Sequence, residues 1–131
     1  MERGDERAEP SDGLLDDPGL DRICLRNLLE GDPEMVSFKD AAGRFLRISR
    51  GYADHLGLTD PDEARGRTAD ELLPEDEARF ATDDERSVMR TGIPMVELQE
   101  RLSLPGGGER FVLTTKQPLR DETGAIIGTF A

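Results

Sequence analysis

The sequence predicts an α+β domain built on an antiparallel sheet, and three observations carry that prediction. Short apolar strands come in two groups, a pair near Met35–Ser49 and a trio near Met95–Ala131. The helical signals fall between the groups, and within each group the connections are tight turns, not the long crossovers that parallel strands need. A length of 131 residues fits one such domain.

Taken in order, residues 1–19 read as an acidic tail or linker. They combine nine charged residues with Pro10, Pro18 and three glycines, too little apolar surface to offset the entropy of ordering them. The domain is expected over 20–131. Leu20, Ile23, Cys24, Asn27 and Leu28 recur at helical spacing in a short amphipathic helix that ends near Gly31. That helix either caps the domain's own core or supplies a dimer contact through Leu20, Ile23 and Leu28.

Strands at Met35–Lys39 and Phe45–Ser49 flank Asp40-Ala41-Ala42-Gly43, whose Asp and Gly suit a tight hairpin turn. Ser49 can cap a helix running through Leu56, which Gly57 ends, and Pro61 can open a further turn. Thr68-Ala69-Asp70-Glu71 matches a capping box. The longest helix is expected from Pro74 to about Arg90, with acids Glu75, Asp76 and Glu77 at its positive end and Gly92 after its last turn. At ~100° per residue, Phe80, Ala81, Val88 and Thr91 form one stripe that also contains Glu77 and Asp84. Two carboxylates are therefore expected to point toward the domain, whereas Asp83 and Glu85 are placed on solvated sides. Strands over Met95–Leu102, Arg110–Leu119 and Ala125–Ala131 close the chain, separated by Pro105-Gly106-Gly107-Gly108 and Asp121-Glu122-Thr123-Gly124.

Composition removes several function classes. A net charge of −12 repels nucleic-acid phosphates and anionic lipid, so neither a nucleic acid nor a membrane is expected as a partner. No apolar run approaches the ~20 residues that span a bilayer, and the N-terminus lacks a basic and then apolar leader pattern, which points to a cytoplasmic protein. Cys24 is the one cysteine and His55 the one histidine, too few ligands for a Cys/His zinc site. No calcium-loop pattern is present, and Gly106–Gly108 lacks the Lys-Ser/Thr of a phosphate-binding loop. No metal site is expected. Without a Ser/His/Asp, Cys/His or metal cluster, no catalytic residue is assigned and an enzyme is not expected.

Three pieces occur in order: Phe38-Lys39-Asp40-Ala41-Ala42-Gly43-Arg44-Phe45, the Ser49 to Leu58 helix ending in Gly57-Leu58, and Thr114-Thr115-Lys116-Gln117-Pro118-Leu119-Arg120-Asp121 with Gly124 and Gly128. Together they resemble the bacterial form of the PAS family of sensory domains, often written K-D-x-x-G-R-F and T-T-K-x-P-L-x-D, from about Leu28 to Phe130. Ser49 stands where the family commonly has Asn, and both residues can cap a helix. The resemblance implies a five-stranded antiparallel sheet with helices cupped over one face and a ligand cavity between them. It also implies an N-terminal helix on the other side of the sheet, often used to form a homodimer. No segment of the kind that joins such a domain to an effector follows the last strand, so the effector is expected either to lie outside this sequence or to be absent altogether.

Family members hold haem, flavins, metabolites or nothing, so the cofactor is left unknown. Haem is disfavoured because His55 falls in the short helix after the second strand, not in the long helix that supplies the ligand in haem-binding relatives; a surface or capping role is expected for it. A photoactive flavin is disfavoured because Cys24 lies in the N-terminal helix and Thr68–Leu73 carries no thiol. The group singled out is Lys39, Asp84 and Lys116, two lysines on strands and an acid in an apolar stripe, which burial penalises unless they pair. They act either as a strut between long helix and sheet, or as a ligand anchor. In the second case Lys116, with Thr114 or Thr115, holds the polar end of a small molecule such as a carboxylate, while Phe80, Val88, Leu98 and Leu113 line its apolar part.

The leading expectation is a sensor whose ligand shifts a bistable element and biases an effector such as a histidine kinase, a cyclic-dinucleotide enzyme or a phosphatase. The alternative is a ligand-free dimerisation module.

Overall fold

The structure, a computed structural model, describes residues 12–31 and 33–131. Most of the expected tail, residues 1–11, lies outside the described residues. The described part of that stretch holds one helical turn, α1 (Asp12–Leu15), followed by α2 (Leu20–Gly31). Strands β1 (Ser37–Asp40) and β2 (Phe45–Ile48) come next, then α3 (Arg50–Leu56), a 3-10 turn over Pro61–Ala64, α4 (Ala69–Leu72) and α5 (Glu75–Thr91). Strands β3 (Met95–Ser103), β4 (Glu109–Arg120) and β5 (Ile126–Phe130) complete the chain. Among the described residues, no helix is long and apolar enough to cross a membrane.

All four strand pairings are antiparallel and the sheet order is β2-β1-β5-β4-β3, which places the first hairpin beside the last strand. The turn chemistry explains the boundaries. In the β1–β2 hairpin the Asp40 carboxylate accepts N–H bonds from Ala42 and Arg44, and Gly43 takes the left-handed conformation at φ 81°. Ser49 Oγ accepts the Tyr52 N–H at 3.2 Å to start α3, and itself donates to the Glu34 carbonyl at 2.7 Å. Both Asp60/Glu63 and Thr68/Glu71 form capping boxes.

The core lies at the β2 end. Phe45, Ile48, Ala53 and Ala64 pack with Tyr52, Leu56, Leu58 and Leu72. β5 sits close against β1 because Gly128 has no side chain: a Cβ there would collide with the Lys39 carbonyl. α2 packs against α3, with Leu29 buried, Leu20 half-buried and Ile23 and Leu28 exposed. Phe111 and Leu113 are exposed on the sheet.

The phase of α5 differs from expectation. Its buried residues are Ala78 and Val88, and with half-buried Ala81 and Glu85 they place the inward stripe roughly 60° around the wheel from the expected one. Phe80 moves out, and Glu85 moves in.

Candidate functional site: a polar cleft under helix α5

β4 carries the site. Its alternation turns Val112, Thr114 and Lys116 to the helix-covered face and Phe111, Leu113 and Thr115 to the other. β3 pairs Leu98 with Thr114 and Glu100 with Val112, so these two β3 residues share the inner face. α5 crosses above them, tied down by ion pairs. Lys116 Nζ donates to Asp84 Oδ2 at 2.9 Å and lies 3.1 Å from Glu100 Oε2. Lys39 Nζ donates to Glu85 Oε2 at 2.6 Å and sits 4.5 Å above the centre of the Phe45 ring.

The expected trio is thus split. Asp84 turns inward and meets Lys116, but the partner of Lys39 is Glu85, whose side chain is only 15% exposed and not on a solvated face. The rotation of α5 is the reason. Lys116 is buried, which alone would lower its pKa, but the hydrogen bonds and charges of Asp84 and Glu100 outweigh burial and raise it.

Between α5, α3 and the sheet lies a cleft of about 1450 Å³, larger than the roughly 300–1,000 Å³ of an ordinary small-molecule pocket. Lys39, Asp84, Leu98, Thr115 and Lys116 all border it. Phe80 and Leu113 border it too, but as rim residues, 60% and 70% exposed. The rotation of α5 explains the first, and the strand alternation, which gives Val112 and Thr114 the inner positions, explains the second. Val88 does not border the cleft; it is wholly buried in the helix–sheet contact. Thr115 faces away from Lys116, and its Oγ1 accepts the Glu97 N–H at 3.2 Å.

Sequence reasoning missed Tyr52, Glu85, Glu100 and the placement of His55. The Tyr52 ring packs edge-on to Phe45 at 6.1 Å and stacks on His55 at 6.2 Å. Burial first, then the charges of Glu85, Glu77 and Glu100, push the Tyr52 phenol pKa well above its ordinary value. His55 is neither a surface nor a solvated capping residue: it is 8% exposed, borders the cleft, and its Nδ1 has no hydrogen-bond partner among the described residues. A seven-residue helix has too few turns to reveal its buried face by period. Burial, and then the nearby Arg110, lower the His55 pKa, against a smaller opposing pull from Glu77.

That shift has a sign. A histidine held below its ordinary 6.5 contributes stability that is intact above pH 6.5 and is lost as the pH falls through the folded value. From about pH 7.5 to about pH 5.5, Tm should therefore decline more steeply for the natural protein than for His55→Gln; parallel declines would refute the burial account.

The comparisons with known proteins agree with the fold. VqmA of Vibrio cholerae in a complex with ligand and DNA is 28% identical, over 85% of this chain and 48% of its own, with a TM-score of 0.73. VqmA bound to DPO has the same identity and TM-score, over 85% of this chain and 55% of its own. The PAS domain of BvgS from Bordetella pertussis, 24% identical over 92% of this chain and 86% of its own, has a TM-score of 0.61 and shows the shared fold. This chain spans about half the length of the VqmA chains it matches. Among curated protein sequences, none matches at a significant level.

VqmA corrects the expectation that nucleic acid is no partner, since a protein similar to this acidic domain has been captured on DNA. The charge argument failed because repulsion is local, screened within about 8–10 Å at ordinary ionic strength. The acidity of one domain does not fix what the remainder of a longer protein touches. The family itself is settled by the family model for the PAS fold, which matches residues 29–131, and the chain belongs to the PAS family.

Proposed function

We propose that this PAS domain is a non-enzymatic sensor that binds a small molecule in the cleft under α5 and relays its occupancy through α2 or β5 to an effector. The observation that carries the reading is the cleft wall: the buried ion-paired lysines Lys39 and Lys116, with Tyr52 and His55, border a space large enough for a ligand. VqmA bound to DPO supports a small-molecule ligand. VqmA also combines a ligand with DNA in one complex, so the outputs open to such a sensor include a DNA-binding one beside a kinase, a cyclic-dinucleotide enzyme or a phosphatase.

Native mass spectrometry of the purified protein, with a thermal-shift screen of metabolites, tests the reading. A retained small molecule, or a hit that raises Tm and is lost when the cleft is altered, supports it. A bare mass together with an empty screen would remove its support.

A second reading, a ligand-free dimerisation module, is favoured by the uncovered apolar face of α2, where Ile23 is 40% and Leu28 53% exposed. Leu28→Asp should convert a dimer into a monomer in analytical ultracentrifugation without lowering Tm, because Leu28 contributes little to the core. An unchanged sedimentation coefficient would take Leu28 out of any interface.

A further inference from the structure

Most basic side chains of the cleft are already committed. Lys116 lies between Asp84 and Glu100, Lys39 is bound by Glu85, and Arg101 at the rim is 3.1 Å from Glu109. Two opposite charges at one end of the cleft are not. Arg110 makes no hydrogen bond or ion pair among the described residues, and Glu77 has no cationic partner among them.

The strands set these two groups side by side. Leu102 and Arg110 are cross-strand partners, so Arg110 continues the inner-face series of Lys116, Thr114 and Val112 out to the mouth. The next residue of β3, Ser103, donates its N–H to Glu77 Oε2 at 3.2 Å in an exposed bond, which holds that carboxylate one residue step from the Leu102–Arg110 pair. His55 registers both charges: burial lowers its pKa, Arg110 lowers it further, and Glu77 opposes them. Arg110 is exposed and Glu77 half-buried, while half-buried Leu102, Val112 and Leu98 lie behind them on the inner face. A ligand with one charge is attracted by one of the two groups and repelled by the other. A ligand that carries both charges satisfies the pair.

We infer that this mouth binds the zwitterionic head of a free α-amino acid, its carboxylate on Arg110 and its ammonium on Glu77, with an apolar side chain directed onto Leu102, Val112 and Leu98. A guanidinium suits the first role because it can offer a carboxylate two parallel N–H donors. The inference rests on the reading of the cleft as a ligand site and names its ligand class. It places the ligand's carboxylate on Arg110, not on Lys116, whose ammonium two acids already hold.

The test is an NMR titration of the whole chain at neutral pH with leucine and phenylalanine, each beside its two one-charge analogues. These are isopentylamine and isocaproate for leucine, phenethylamine and hydrocinnamate for phenylalanine. At least one amino acid should shift the amides of Leu102, Ser103, Arg110 and the first turn of α5, and bind roughly tenfold tighter than either of its analogues. Arg110→Gln should remove the advantage over the amine. Glu77→Gln, which keeps an acceptor for the Ser103 N–H, should remove the advantage over the carboxylate, and both variants should keep the natural amide spectrum elsewhere. An analogue that binds as tightly as its amino acid, or undiminished amino-acid binding to either variant, would overturn the zwitterion assignment and leave a ligand site standing. So would silence from both amino acids where the metabolite screen finds another cleft ligand. Silence from every compound in both experiments would overturn the ligand reading as well.

Discussion

Lys116→Met should cost about 2–3 kcal/mol and lower Tm by roughly 10 °C. The lysine is the cation shared by Asp84 and Glu100, and its loss leaves two carboxylates facing one another across the α5–β3 gap. Breaking a fully buried pair costs about 3–5 kcal/mol; here both carboxylate side chains are 24% exposed, so solvent screening reduces the loss. Replacing Asp84 and Glu100 by leucine in the same variant should recover much of it, because an apolar cluster of similar volume needs no counter-ion. Urea unfolding of the single and triple variants checks both statements.

The pH dependence of that strut also has a definite sign. The pKa of Lys116 is raised above its ordinary 10.5, so its contribution is complete below pH 10.5 and disappears as the pH rises through the higher folded value. The natural protein should lose stability on that alkaline limb, and Lys116→Met should lack this component. A single variant as stable as the natural protein would mean that the pair is decoration on a helix held by packing alone.

Gly128→Val should leave no folded protein. The side chain would have to occupy the space of the Lys39 carbonyl, with the carbonyl carbon 2.9 Å and the Asp40 Cα 3.0 Å from the first added atom. β1 and β5 would be forced apart, and the sheet would divide between β2-β1 and β5-β4-β3. A loss above about 4 kcal/mol is expected, the range reserved for gross steric or core disruption. Gly124→Ala is the control. Gly124 needs only its left-handed φ of 88° and has nothing near its missing Cβ, so alanine there should cost about 1–2 kcal/mol. Near-ultraviolet circular dichroism and soluble yield separate the two outcomes, and a folded Gly128→Val would refute the close approach of β1 and β5.

Turns and caps were the most legible part of the sequence. Asp40 with Gly43, Ser49 with Gly57, Thr68 with Glu71, and Gly92 each mark a boundary by local chemistry, because the residue that satisfies a free N–H or accepts a positive φ acts within four positions of it. The strand groups followed from those turns, and with them the sheet. Side-chain direction was harder to read. α5 carries charge along its whole length, and its inward phase is set by Ala78, a residue too small to signal burial. Placing the stripe on Phe80 put Glu85 in solvent, although it is the partner of Lys39.

β4 posed the same difficulty with period two. Phe111, Val112 and Leu113 are apolar on both faces, so pattern alone could not say which of them lines the cleft. The irregular pairing between Met95 and Leu98, with Glu97 at φ 53°, offsets the phase of β3 and brings Glu100 under Lys116. Asp84 and Lys116 were readable as partners because both lie where burial of a lone charge is too costly to stand. Glu100 and His55 carried no such mark in the sequence.

A double-mutant cycle on Lys39 and Glu85 tests the central claim, that paired charges clamp α5 onto the sheet over the cleft. With Lys39→Met, Glu85→Leu and the double variant measured by urea unfolding, the coupling energy should be about 1–3 kcal/mol. Losses that simply add, leaving a coupling below about 0.3 kcal/mol, would contradict it.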